Sequence, residues 1–156
     1  MFIFACDKKH YFCMKQEDVK QGNSIVLPND IATIPQLSEF VETTCETAGA
    51  DDMSMTMSLN LALEEAVVNV MEYAYPAGTK GEVTIEAFDE GTCLKFVISD
   101  HGTPFDPTQK ADIDTTLPAE KRSIGGLGIH LVRQIMDTVS YCYVDGQNIL
   151  TLIKKK

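Results

Sequence analysis

Between Leu59 and Ala74, apolar side chains recur at Leu59, Leu63, Ala66, Val67, Val70, Met71 and Ala74, the spacing that gives an α-helix one buried stripe. An amphipathic helix of this kind needs another layer to cover its apolar face, so the rest of the chain is organised around it. The stripe does not account for Glu65 and Asn69. They stand four residues apart, stacked on one side of the helix and close to the apolar stripe rather than opposite it. A carboxylate and an amide there suggest a site. Most helical Glu and Asn residues are simply solvated, so the pair gains its meaning from two glycine-bearing turns further along.

In chain order, residues 1–21 show no sustained periodicity and read as an N-terminal leader, with Met14 as an alternative start, ahead of one domain over residues 22–156. Ser24 to Pro28 is β-rich with a terminal Pro, which suits a first, edge-lying strand. Thr33 is a candidate cap and Pro35 falls in the first turn of a helix whose stripe, Leu37, Phe40, Val41, Thr44, Cys45 and Ala48, ends at Gly49. Asp51 or Asp52 caps the central helix, which Pro76 stops near Tyr75. Val83, Ile85 and Ala87 alternate in one strand and Leu94, Phe96 and Ile98 in the next, joined at Asp89-Glu90-Gly91. A long loop from Gly102 to Gly125 precedes a helix to about Asp137, and a closing hairpin turns at Asp145-Gly146-Gln147. Helices among hairpin strands indicate an α+β two-layer sandwich and exclude the regular strand-helix alternation of a Rossmann sheet.

A formal net charge of −10 and a pI near 4.6 would repel a phosphate backbone, so direct nucleic-acid binding is not expected. The five cysteines form no Cys-x-x-Cys pair, which argues for reduced thiols rather than a disulfide framework or a zinc site. No run approaches the ~18 apolar residues of a membrane span, and Asp7 interrupts the N-terminal apolar run too early for a signal peptide. A cytoplasmic protein without membrane attachment is the expectation.

Two turns carry the chemistry. The strand ending at Ser99 runs into Asp100-His-Gly102-Thr-Pro-Phe-Asp106, where a glycine lets backbone approach a flat ligand closely. Ile124-Gly125-Gly126-Leu127-Gly128 runs directly into an amphipathic helix, offering N–H donors and a positive helix end to an anion. The latter is neither a Walker loop nor Gly-x-Gly-x-x-Gly, because Leu131 occupies the final glycine position. His10, His101 and His130 have no metal-ligand spacing.

Taken in order, Glu65-Ala-Val-Val-Asn69 with Ala74-Tyr75-Pro76, Asp100-His-Gly102-Thr-Pro-Phe105-Asp106 and Gly125-Gly-Leu-Gly-Ile-His-Leu-Val-Arg resemble the ATP-binding superfamily shared by DNA gyrase, a heat-shock chaperone and sensor histidine kinases (the Bergerat or GHKL fold). Within it they look most like the bacterial anti-sigma-factor serine/threonine kinases. Pro104, where the wider superfamily often has a second Gly, is typical of that branch. The resemblance implies a mixed, mostly antiparallel sheet, with ATP and Mg²⁺ held between helices and sheet under a lid. It implies Glu65 as general base and Asn69 as Mg²⁺ ligand, with Asp100 and Gly102 at the adenine and Thr151 supporting them. Gly125, Gly126, Leu127 and Gly128 would wrap the phosphates, and Lys121 or Arg122 would neutralise γ-phosphate charge. In family kinases such a lid Arg often lies close to the Gly-rich turn, whereas Ser123 and Ile124 intervene here.

The activity so implied is transfer of the ATP γ-phosphate to a Ser or Thr of an anti-anti-sigma antagonist protein, with sequestration of a sigma factor by a homodimer. The alternative is a nucleotide-gated protein-binding module with little turnover. A histidine-kinase catalytic domain ranks last, since residues 1–21 are too short for a dimerising helix pair and His10 falls in an unpatterned segment.

Overall fold

The computed structural model of the protein describes residues 22–109 and 127–156. The proposed leader, Lys121, Arg122, Gly125 and Gly126 lie outside them.

The first strand, β1 (Asn23–Pro28), gives way to a 3₁₀ turn at Ile31–Thr33 and the helix α1 (Ile34–Thr47). Thr33 occupies the N-cap of α1 but makes no side-chain cap. Its hydroxyl donates instead to the Asp30 carbonyl oxygen at 2.6 Å, and the Asp30 carboxylate caps the 3₁₀ turn by accepting from Ala32 N. Gly49, at φ 63°, reverses the chain in the left-handed conformation that suits glycine after a helix. The central helix, α2 (Met53–Tyr73), begins where the Asp52 carboxylate accepts from Met55 N at 3.0 Å, so of the two candidate caps Asp52 is used.

Two hairpins supply the rest of the sheet. β2 (Glu82–Asp89) and β3 (Cys93–Asp100) turn through Gly91 at φ 85°, with Asp89 Oδ1 accepting from Gly91 N. The helix α3 (Leu127–Ile135) leads into β4 (Thr138–Val144) and β5 (Gln147–Lys155). Asp145 and Gly146 join β4 to β5 with φ of 52° and 81°, the two positive values of a type I′ hairpin.

The strand order is β1-β2-β3-β5-β4, and all four neighbouring pairs are antiparallel. This bears out the α+β class, the strand-helix order and the mostly antiparallel sheet, with every pairing among the described residues antiparallel. The reason is connective: every strand is joined to a neighbour by a tight turn or returns beside one running the opposite way. Alternation then sorts the side chains. Val83, Ile85, Leu94, Phe96, Ile98, Leu150 and Leu152 point into one core with Leu37 and Val41 of α1 and Leu59, Leu63 and Val67 of α2. Their burial holds α2 against the sheet in a fixed rotation, so the placement of Glu65 and Asn69 at the edge of the stripe is set by packing.

Candidate functional site

The Glu65/Asn69 pair faces the start of α3. Gly128 is the contact point: a Cβ there would run into the Glu65 carboxylate oxygen Oε2 and lie 3.3 Å from Asn69 Nδ2. The α3 backbone therefore lies directly against both side chains, and a larger residue at 128 would require the Glu65 carboxylate to shift. Both are half-buried, shielded by α3 yet open on one side. The Glu65 carboxylate and the Asn69 side-chain amide thus lie at the N-terminal turn of α3, where helix N–H groups favour an anion. Leu127 opens that helix.

At the other end of α2, the turn after β3 is clamped to the helix terminus. Thr103 donates to the Ala74 carbonyl oxygen twice, from its N–H at 2.7 Å and from its hydroxyl at 2.9 Å. Gly102 sits so close that a Cβ would come within 2.8 Å of the Ala74 carbonyl carbon, and because the clash is with backbone only glycine fits here. Tyr75 braces the turn, accepting from His101 N at 3.3 Å and donating to the Glu82 carbonyl oxygen at 2.8 Å. Burial pushes the Tyr75 phenol above its ordinary range. The Phe105 ring stacks on Tyr73 with centroids 5.3 Å apart.

Ala74 is nine residues beyond Glu65, on the order of 13 Å of helix rise. The site is elongated along α2, with a carboxylate and amide at one end and a glycine-lined turn at the other. It would accept a ligand with a charged end and a flat end. All of Glu65, Asn69, Asp100, Gly102 and Gly128 are thus disposed around one helix.

Asp100 is 2% exposed and is the most deeply buried charged side chain of the site. Its Oδ1 accepts from Gly102 N at 2.8 Å and from Asn148 Nδ2 at 2.9 Å, which leaves Oδ2 for a ligand. Burial raises its carboxyl pKa above the usual range, and the bonds from Asn148 and Gly102 pull it partly back.

Asn148 went unnoticed in the sequence. It stands opposite Asp100 in the β3–β5 register and makes four hydrogen bonds. Nδ2 donates to Asp100 Oδ1 and, at 3.0 Å, to the Thr103 carbonyl oxygen. Its Oδ1 accepts from Phe105 N at 3.1 Å and from the Tyr141 hydroxyl at 2.7 Å. The Tyr141 phenol, buried beside these groups, is pushed up to about 12, mainly by burial. An amide at the head of an otherwise apolar strand run, Asn148-Ile-Leu, was the available signal, because a buried polar side chain there needs partners.

Thr151 is not brought to this cluster. It pairs with Val97 and Ser140, three residues along β5 from Asn148, and strict alternation sends it to the opposite face of the sheet from Asp100. Asn148 stands where the expected support for Asp100 was assigned to Thr151. The start of the long loop is anchored: Asp106 Oδ1 accepts from Thr108 N and Oγ1, and Arg133 of α3 donates to the Thr108 carbonyl oxygen.

Among the described residues no three His, Cys, Asp or Glu side chains gather into a metal cage. A hard cation at Asn69 would take one amide oxygen from the protein and the remainder of its shell from ligand oxygens and water, the mode suited to Mg²⁺ with a polyphosphate. No helix of the described residues is long and apolar enough to cross a membrane.

Residues 27–154 match the family described as the histidine kinase-like ATPase domain, and the chain belongs to that family. Among curated proteins it is similar to the serine-protein kinase RsbW of Listeria monocytogenes serovar 1/2a, with 35% identity over 96 residues, covering 59% of this chain and 61% of the relative. RsbW of Bacillus subtilis is 34% identical over 85 residues, covering 52% and 53%. The serine/threonine-protein kinase BtrW of Bordetella bronchiseptica is 29% identical over 98 residues, covering 63% and 69%. The match thus spans about three fifths of the length of the Listeria relative.

Proposed function

We propose that the chain binds ATP along α2 and transfers its γ-phosphoryl group to a Ser or Thr of an antagonist protein, as a cytoplasmic anti-sigma-factor kinase that also sequesters a sigma factor. The observation that carries the reading is the approach of Gly128 to Glu65 and Asn69, which brings a helix N-terminus, a base and a metal ligand to one point. The names of the RsbW and BtrW relatives agree with it.

In this reading Asp100 Oδ2 accepts from the adenine amino group, and Gly102 leaves the ring room against the Ala74 backbone. Asn69 would hold Mg²⁺, which when bound would supply neutralisation of phosphate charge. Glu65 accepts the proton from the acceptor hydroxyl as the new O–P bond forms and the bond from the γ-phosphorus to ADP breaks. The backbone N–H groups at Gly128 and Leu127 face the phosphates. Lys121, Arg122, Gly125 and Gly126 join them on sequence grounds alone.

The test is label transfer from γ-labelled ATP to a candidate antagonist. Glu65→Gln is expected to lower the rate by roughly 10²–10⁴-fold while calorimetry shows ATP still bound. Equal labelling by both proteins refutes the role of Glu65. ATP binding without transfer to any candidate supports the nucleotide-gated module, for which the spacing of Arg122 from the glycine turn is the motive.

A further inference from the structure

The first half of α2 carries an apolar row that the core does not use. Met53, Met57 and Leu61 follow one another at four-residue spacing and are 76%, 65% and 41% exposed. At that spacing they form a continuous ridge, and the next residue on it is Glu65. Solvent-exposed apolar side chains scattered singly need no explanation, but three in register on a regular helix form a patch. Met side chains, unbranched and polarizable, mould to a partner surface.

Among the described residues, the charges on the two helices that carry and flank the ridge are of one sign. Between Lys20 and Lys80 the sequence contains no Lys, Arg or His, so every charge on α1 and α2 is acidic. Glu39, Glu42 and Glu46 are exposed along α1, and Glu42 reaches Asn60 of α2 at 3.4 Å, which places this acidic row beside the ridge. Glu64 is exposed next to Leu61. Lys156 touches the far end of α1, but it is paired with Asp89.

We infer that the Met53-Met57-Leu61 ridge is the docking surface for the phosphoacceptor protein, which presents an apolar patch rimmed by Lys or Arg. The assignment rests on the kinase reading above and extends it. Continuity decides the occupant: the ridge runs into Glu65, so a protein seated on it has its acceptor hydroxyl one helical turn from the base. The acidic rim selects a basic partner and raises the encounter rate, while the apolar ridge supplies the affinity.

Two helical peptides with the same leucine row and terminal serine, one rimmed by lysine and the other by glutamate, serve as probes against the full chain. Fluorescence anisotropy is expected to show the lysine peptide binding at least tenfold tighter. The triple variant Met53→Ser, Met57→Ser, Leu61→Ser is expected to lose at least tenfold of that affinity with ATP binding unchanged by calorimetry. With ATP present, the serine of the lysine peptide is labelled, and the variant raises KM rather than lowering kcat. Should the triple variant fail to fold, the single exposed change Met57→Lys gives the same readout.

Equal affinity for the two peptides, or affinity indifferent to the substitutions, overturns the proposal. So does bound peptide that is never labelled by a chain that labels another protein. A wild-type dimer that the variant converts to monomer in sedimentation also overturns it, by assigning the ridge to a second copy. Loss of ATP binding by the wild type would instead sink the nucleotide reading and leave the peptide comparison intact.

Discussion

Replacing Asp100 by Asn separates what this side chain does for the fold from what it would do for a ligand. Both local hydrogen bonds, from Gly102 N and Asn148 Nδ2, converge on Oδ1. An amide can place its own oxygen there and keep both. The other terminal atom changes from acceptor to donor.

If that atom meets the amino group of adenine, a charge-assisted hydrogen bond of about 1.5–3 kcal/mol is lost. Two donors then face each other, so ATP affinity should fall by at least roughly 10- to 150-fold at 1.4 kcal/mol per decade. Inosine triphosphate, whose ring carries an oxygen in place of that amino group, should bind the variant better than it binds the wild type.

Stability moves the other way. The carboxyl pKa is raised by burial, so the folded state holds this proton more tightly than the unfolded chain does. Ionised Asp100 therefore costs stability at neutral pH, a cost that appears as pH rises from the unfolded to the folded pKa. The neutral amide removes it, and the melting temperature should be equal or higher. Calorimetric titration with both nucleotides and a thermal melt test the argument. Equal weakening for ATP and inosine triphosphate, or unchanged ATP affinity, would refute the placement of Oδ2 at the base.

Asn148→Ala deprives Asp100, the Thr103 carbonyl, Phe105 N–H and the Tyr141 hydroxyl of a partner; a loss of about 3 kcal/mol in urea denaturation is expected. Thr151→Val, on the opposite face, should leave nucleotide affinity within twofold by the same titration, roughly 0.4 kcal/mol. Gly128→Ala pushes a methyl group into Glu65, so phosphotransfer should fall at least tenfold while the melting temperature changes by only a few degrees. ATP affinity of the wild type should decline as pH falls through the raised carboxyl range of Asp100, and that decline should be absent from Asp100→Asn.

Local and periodic features of the sequence determined much of this protein. The apolar stripe of α2, the Asp52 cap, the glycine after α1 and the two hairpin turns all act within a few residues, where spacing alone sets conformation. Glu65 and Asn69 stood out beside the apolar stripe, whereas Asp100 and Gly102 gained a role only from their order with the other motifs in the family resemblance. Tertiary structure decided what depends on register between distant strands. Only the pairing of β3 with β5 puts Asn148 opposite Asp100 and turns Thr151 away, since a shift of one residue along a strand exchanges the two faces. The contact of Gly128 with Glu65 is likewise a product of packing, because β2, β3 and a long loop separate α2 from α3 in sequence and only the tertiary structure brings them together.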